Sequence, residues 1–301
     1  MENGKITILA PAKINLYFGV TGMRADGYHE VETVLQTVNL FDRITVAVSA
    51  GEGRQISVLC RELADLPQEK NLAYKAAEAF LSAADDENIR VEISIEKKIP
   101  DKAGFGGGSS DAAAVIIALN TLSGDRFSMA ELFGIGASVG ADVPFCIRGG
   151  LQRAQGVGER LTPIAMKRPL YIVAFQPCRG LSTKEVFTAL HEDGIRDEDR
   201  PDNEAAQRAL QNGDVRLLGR SLGNVLEPVS RRLRPDIDRA IREIEAAGAV
   251  GARMTGSGSA VFGVFPHAGA CRKAAQELQK TYPACRMMRT AECGVVIGED
   301  A

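Results

Sequence analysis

Alternation of apolar and polar positions dominates the first sixty residues of this 301-residue chain and predicts strands over 5–10, 14–20, 34–39, 43–48 and 55–59, with turn residues between them. The period then changes. Leu72, Ala76 and Phe80 stand four apart, which predicts a helix over 71–84, and VEISIEKKI returns to strand alternation over 91–99. Residues 100–111 (PDKAGFGGGSSD) break both periods with four glycines, and the apolar run AAAVIIAL after them reads as a helix. Ser128, with Glu131 three residues on, is a capping-box pattern that opens another helix. Gly134 and Gly136 each weaken that helix by up to about 1 kcal/mol against alanine, so a short or bent element is expected.

After GADVPF (140–145), short strand-like pieces extend to about residue 164, and 170–175 is a buried strand closed by Gln176-Pro177. The polar run 191–203 predicts an exposed loop. Helices are expected at 204–211, 215–221 and 236–247, the last with an apolar face of Ile237, Ala240, Ile241 and Ile244. A strand (252–254), the small-residue loop TGSGS, a strand (260–265), a helix (269–281) and a final strand complete the order. The order of elements is an alternating α/β layout, and the chain is long enough for two domains, expected at 1–165 and 166–301.

Composition narrows the functional classes. Net charge is −3 with basic and acidic residues intermixed, so neither a nucleic-acid nor a membrane surface is expected, and an anionic ligand must be handled locally. The six cysteines contain no CxxC pair and only three histidines accompany them, which indicates neither a zinc site nor a disulfide framework. No basic start precedes an unbroken apolar core, and no apolar span reaches the roughly 20 residues needed to cross a membrane. A cytoplasmic protein is expected.

The glycine loop carries the clearest chemistry. Gly104, Gly106, Gly107 and Gly108 can curl the backbone until several N–H groups point at one anion, and the N-terminus of the following helix adds to the same preference. Ser109 and Ser110 suit the helix cap. Two familiar phosphate motifs are excluded by spacing: a Walker loop needs lysine after its last glycine, where Ser109 stands, and GxGxxG fails whether begun at Gly104 or at Gly106.

Three further segments offer partners for a phosphate. In PAKIN, Lys13 and Asn15 occupy alternate positions of an apolar strand and share a face. In GADVPF, Asp142 precedes Val143-Pro144, and the proline biases Val143 away from helix and fixes a turn. A buried lysine needs a partner, and pairing Lys13 with Asp142 satisfies both, giving a base supported by a cation. Taken alone, each fits a simpler role: a strand-edge lysine reaching water, and an aspartate capping a turn. In DGYH, Tyr28 can stack on a ring while His29 hydrogen-bonds it, or both can decorate a surface hairpin. TGSGS (255–259) can approach a ligand closely or simply join two strands.

PAKINLYF, DGYHEV, KKIPDKAGFGGGSSDAA, GADVPF and MTGSGSAVF, in this order, resemble the GHMP small-molecule kinases over nearly the whole chain, and within them the members whose acceptor is a cytidyl diphosphate methylerythritol of non-mevalonate isoprenoid synthesis. The resemblance implies an α+β, two-domain fold with an N-terminal domain like ribosomal protein S5 domain 2, a ferredoxin-like C-terminal domain and an active site between them. It implies Asp142 as the base for the acceptor's 2-hydroxyl, with Lys13 keeping that carboxylate ionised and stabilising the transferring phosphoryl group. ATP would lie on Pro100, Ala103, Gly104, Phe105, Gly106, Gly107, Gly108, Ser109 and Ser110, with Asn71 and Lys98 near the adenine or ribose. Tyr28 and Phe187 would sandwich the cytosine, with Asn15, His29 and Thr183 also at the acceptor. Mg²⁺ would arrive on the nucleotide rather than in a protein cage, leaving no protein metal site, and the working unit would be a monomer or weak homodimer. Asp101-Lys102 departs from the small or apolar pair usual before the loop glycines and reads as a solvated pair, and Phe105 stands where leucine is common. The alternatives are another acceptor of the same family, of the homoserine or mevalonate class, and a catalytically silent nucleotide-binding regulator.

Overall fold

The computed structural model describes residues 3–24, 29–195 and 201–298. Two long strands form its spine, β1 (Gly4–Met23) and β2 (His29–Ala50), paired antiparallel along almost their whole length. The sequence pattern divides each of them in two, but the ladder continues through both expected breaks. Proline at position 11 has no N–H to give the ladder, and the register slips there from Pro11 opposite Phe41 to Ala12 opposite Val38. The bulge that results turns the strand pair without ending it.

Four more strands from the first half extend this sheet: β3 (Arg54–Cys60), β4 (Ile89–Glu96), β5 (Leu151–Gly156) and β6 (Arg160–Pro163). Then comes β7 (Tyr171–Phe175), which starts a second sheet. The later strands are β8 (Gly223–Asn224), β9 (Gly251–Met254), β10 (Val261–Phe265), β11 (Arg286–Arg289) and β12 (Val296–Ile297). Among the described residues the first sheet has eight strands, in the order β12-β1-β2-β4-β3 with β5 and β6 branching from β2. Two of them, β8 and β12, return from the second half to flank β1. The second sheet is antiparallel throughout, in the order β11-β7-β10-β9.

Helices α1 (Leu72–Ala84), α2 (Gly107–Leu122), α3 (Met129–Val139) and α4 (Val143–Arg148) cover the first sheet. Phe80, Leu81, Val115, Ile116 and Val143 pack there against Ile44, Val46, Val91 and Ile93. The capping box at Ser128 forms as expected, with Ser128 N donating to Glu131 Oε2 at 2.8 Å. The α3 helix is neither short nor broken at its glycines: a Cβ on Gly136 would stand 3.0 Å from Val143 Cγ1, so the missing side chain lets α4 approach. Val143-Pro144 opens α4 instead of making a turn, because proline in a first helical turn removes an N–H that has no intrahelical partner.

The second half contributes α5 (Thr183–Asp193), α6 (Asn203–Asn212), α7 (Val215–Ser221), α8 (Glu227–Leu233), α9 (Pro235–Ala246) and α10 (Ala268–Leu278). Neither α5 nor α8 is foreseen by the sequence pattern, and α5 takes in His191, at the start of the expected exposed loop. Val173, Phe175, Val261 and Phe265 meet Val186, Ile237, Ile241 and Leu278 in the core under the second sheet. A third core joins the two sheets: Ile14 and Val34 from the first, Ile172 and Phe262 from the second, and Ile99, Ala103 and Phe105 from the glycine loop. The loop is therefore anchored where the two halves meet.

Candidate active site

Lys13 lies on β1 with only 6% of its side chain exposed, and its Nζ stands 3.5 Å from Asp142 Oδ2. The same amine donates to Asn15 Oδ1 at 2.8 Å, as two residues on one strand face require. Asn15 is in turn fixed on every side. Its Nδ2 donates to Thr33 Oγ1 at 2.9 Å, and its Oδ1 accepts from Thr255 Oγ1 at 3.2 Å. Asn15, expected at the acceptor, also holds the ammonium in place. Asp142 occupies the N-cap position of α4, but its carboxylate caps no N–H there and keeps 36% of the side chain exposed. One member of the pair is sealed and the other faces solvent.

The glycine loop wraps directly onto this pair. Lys13 N donates to Phe105 O at 2.9 Å, and Phe105 is buried in the joining core. Gly106 has φ +71°, and a Cβ there would fall 2.9 Å from Lys13 Cγ, so the loop crosses the lysine stem where only glycine fits. Gly104 has φ +90°, and a Cβ there would strike Thr255 O at 2.2 Å. TGSGS makes its close approach to the glycine loop, reinforced by Ala260 N donating to Ala103 O at 2.9 Å.

The helix begins one turn earlier than the serines suggested. Gly106 is the N-cap in the left-handed region, Ser110 N makes the first intrahelical bond to Gly106 O, and the N–H groups of 107–109 precede it. Ser109 and Ser110 therefore sit in the first turn rather than at the cap. The Ser110 hydroxyl is buried and donates to Pro11 O at 2.7 Å, pinning the helix start to β1. Asn71 caps α1, its Oδ1 accepting from Ala73 N at 2.9 Å, and Leu72 beside it reaches the Cβ position of Gly108 at 3.4 Å. Lys98, Asp101 and Lys102 are exposed, and Pro100 is half-buried.

On TGSGS, Ser257 Oγ lies 3.0 Å from Thr183 Oγ1, linking the start of α5 to that loop. Phe187, one turn on, faces the His29 ring with centroids 4.7 Å apart and planes 30° from parallel. Tyr28 lies outside the described residues. A cavity of about 250 Å³ opens beside His29, lined also by Val20, Thr21, Met23, Leu190 and His191. Burial, and then the neighbouring His191, pushes the His29 imidazole below its ordinary range, which favours the neutral ring at physiological pH.

Comparison with known proteins bears directly on this arrangement. Residues 71–150 match the family profile "GHMP kinases N terminal domain" and 206–284 match "GHMP kinases C terminal". The chain is 42% identical over 286 residues, 95% of its length and 98% of the relative, to 4-diphosphocytidyl-2-C-methyl-D-erythritol kinase of Pelotomaculum thermopropionicum. It is 37% identical, over 95% and 97% of the two chains, to the protein of the same name from Alkaliphilus metalliredigens. A crystal structure of 4-(cytidine 5'-diphospho)-2C-methyl-D-erythritol kinase superposes with TM-score 0.75 at 35% identity, covering 95% of this chain and 99% of that one. The chain belongs to the 4-diphosphocytidyl-2-C-methyl-D-erythritol kinases of the GHMP family.

It is accordingly an ATP-dependent kinase with a small-molecule alcohol acceptor and the two-domain GHMP fold. Homoserine kinase from Cytophaga hutchinsonii has the same fold, with TM-score 0.79 at 22% identity over 98% and 97% of the two chains. Among the described residues no helix is long and apolar enough to cross a membrane. The kinase also contains a charged cluster that sequence reasoning missed. Lys97 Nζ donates to Asp42 Oδ2 at 2.5 Å and to Asp111 Oδ2 at 2.8 Å, and all three side chains are at most 7% exposed. Lys97 is adjacent to the expected ribose contact Lys98, and Asp111 closes the loop motif, so both were visible as letters. Nothing in local spacing joined them to Asp42.

Proposed function

We propose that the chain transfers the γ-phosphoryl group of ATP to the 2-hydroxyl of 4-diphosphocytidyl-2-C-methyl-D-erythritol, giving the 2-phosphate and ADP, a step of non-mevalonate isoprenoid synthesis. The observation that carries this reading is the Lys13–Asp142 pair, 3.5 Å apart, with the glycine loop folded over the lysine stem. Asp142 accepts the hydroxyl proton as the acceptor oxygen forms its bond to γ-phosphorus. The bond from γ-phosphorus to the bridging oxygen breaks, and its electrons leave on ADP. Lys13, oriented by Asn15, offsets charge developing on the phosphoryl oxygens. The N–H groups of 107–109 and the α2 N-terminus hold the ATP phosphates. Mg²⁺ enters with the nucleotide, since this hard, strongly hydrated ion is usually held through phosphates and few carboxylates.

The acceptor's base belongs against Phe187 and His29, where the His29 ring, held neutral, and the 250 Å³ cavity beside it suit a stacked, hydrogen-bonded pyrimidine. The domain division is placed at 165/166, in the connection between β6 and β7. The test is turnover of ATP with three acceptors, the cytidyl compound, homoserine and mevalonate. Phosphorylation of the cytidyl compound alone is expected, with its KM raised about tenfold or more by Phe187→Ala and the ATP KM unchanged. Turnover of homoserine or mevalonate in its place would overturn the assignment.

A further inference from the structure

The Asp42–Lys97–Asp111 cluster stands outside the reaction just described, yet its position relative to the glycine loop is specific. Lys97 is the first residue after β4 and Asp111 is the fifth residue of α2, so the two mark the entry and exit of the loop. One ammonium ties them together, with 2.8 Å from Lys97 Nζ to Asp111 Oδ2. Asp42, wholly buried on β2, fixes the entry side three times over. Its Oδ2 accepts from Lys97 Nζ, and its Oδ1 accepts from Lys98 N at 2.5 Å and from Ile99 N at 2.8 Å. Those two N–H groups come just after β4 leaves the ladder, so the carboxylate replaces the strand partner that the turning chain loses. Lys97 Nζ also lies under the cradle itself: a Cβ on Gly107 would be 3.2 Å from it.

A cluster with two carboxylates and one ammonium is a poor choice for stability alone. Ion pairs taken fully out of water return little or nothing over apolar packing of the same volume, and here Asp111 Oδ1 is buried without any hydrogen-bond partner. What the cluster supplies is geometry, because charge-assisted bonds this short tolerate little displacement of either stem.

We propose that Asp42, Lys97 and Asp111 are positioning residues for the nucleotide, a bridge across the mouth of the glycine loop that sets the spacing of the phosphate-binding N–H groups. The inference rests on the assignment of this loop to ATP. None of the three touches the reacting atoms, and the bridge acts only through the loop it spans.

Asp111→Ala and Asp111→Asn in the full chain test it, with ADP titrated by calorimetry and both KM values measured. Cutting the tether with alanine is expected to weaken ADP binding and raise the ATP KM about tenfold, leaving kcat within about threefold and the acceptor KM within about twofold. Asparagine, whose amide oxygen still accepts from Lys97, is expected to bring the ATP KM back to within about threefold of wild type. A purely structural role predicts otherwise: alanine and asparagine alike, or both KM values and kcat worsening together, and either result overturns the proposal. Should Asp111→Ala not fold, Asp42→Asn carries the same test from the other stem, because a single amide oxygen cannot accept both from Lys97 and from the N–H groups of Lys98 and Ile99 as the two carboxylate oxygens do, and an unchanged ATP KM in that variant is equally decisive against the bridge. Wild-type protein that binds no ADP would instead sink the nucleotide assignment, and the bridge with it.

Discussion

Two buried lysines touch the same glycine loop, and they are held in opposite ways. Lys13 and Lys97 have side chains 6% and 7% exposed, each pairs with aspartate, and each lies against a loop glycine, Gly106 and Gly107 respectively. Around Lys97 everything is closed: two carboxylates at 2.5 and 2.8 Å, neither more than 3% exposed. Around Lys13 the carboxylate is 3.5 Å away and 36% exposed. The desolvated ammonium needs a counter-charge in both places. Where that partner is sealed, the pair can only fix structure. Where it is partly exposed, its free side can meet a hydroxyl and take its proton.

The sharpest way to break this contrast is to remove the open pair. Asp142→Asn is expected to lower kcat about a thousandfold with ADP affinity unchanged, and Lys13→Met to do nearly as much. Because the two act as one unit, the double variant should be no more than about tenfold worse than the poorer single one. Steady-state kinetics and ADP calorimetry on the three variants check this. Independent, multiplicative losses would mean that Lys13 and Asp142 do not work together.

Much of the open site could be read along the chain, and almost none of the closed one. Lys13 and Asn15 are two residues apart on a strand, so alternation alone puts them on one face, and the observed 2.8 Å bond between them follows from local geometry. The glycine loop likewise announces itself by composition. Asp42 and Lys97 are 55 residues apart, joined only by the pairing of β2 with β4, and Asp42 falls in the gap between the strands expected at 34–39 and 43–48, where it reads as a turn residue. The same blindness split β1 and β2. Pro11 is a turn signal unless a partner strand is known to bulge opposite it. Proline at 144 was misread for a related reason: it disfavours helix before itself only where a helix is already running, and at a first turn it fits. Ser110 looked like a cap, but its hydroxyl is taken by Pro11 O, a partner 99 residues earlier in the chain.

Replacing the closed lysine should reverse the pattern of effects. Lys97→Met leaves Asp42 and Asp111 buried beside each other without a counter-ion, which is expected to cost about 3–5 kcal/mol of folding stability. Lys13→Met leaves Asp142 partly in water and is expected to cost no more than about 1–2 kcal/mol. Urea unfolding of both variants beside wild type makes the comparison. Equal losses would mean that the sealing of the carboxylates, as opposed to the burial of the lysine, has no energetic consequence.

The smallest effect separates the sites by proton binding. Burial pushes the Asp111 carboxyl up to about 7, with Lys97 pulling it down and Asp42 pushing it up, while the Cys60 and Cys146 thiols nearby are themselves raised by burial. In the unfolded chain the same carboxyl titrates near its ordinary value of about 3.9. Between these limits the folded state binds the extra proton, so this group's contribution makes stability fall as pH rises from about 4 to about 7 and level off above, opposite to a carboxylate stabilised by an exposed cation. Asp111→Asn abolishes the titration but keeps an acceptor for Lys97. Its stability relative to wild type is therefore expected to climb through that window, by at most about 1.4 kcal/mol per pH unit, and to stay constant above it. Urea unfolding of the two proteins at pH 5, 6, 7 and 8 reads the difference directly. A difference that does not change with pH would mean that Asp111 is ionised throughout and that the bridge carries its full excess negative charge under the phosphate cradle.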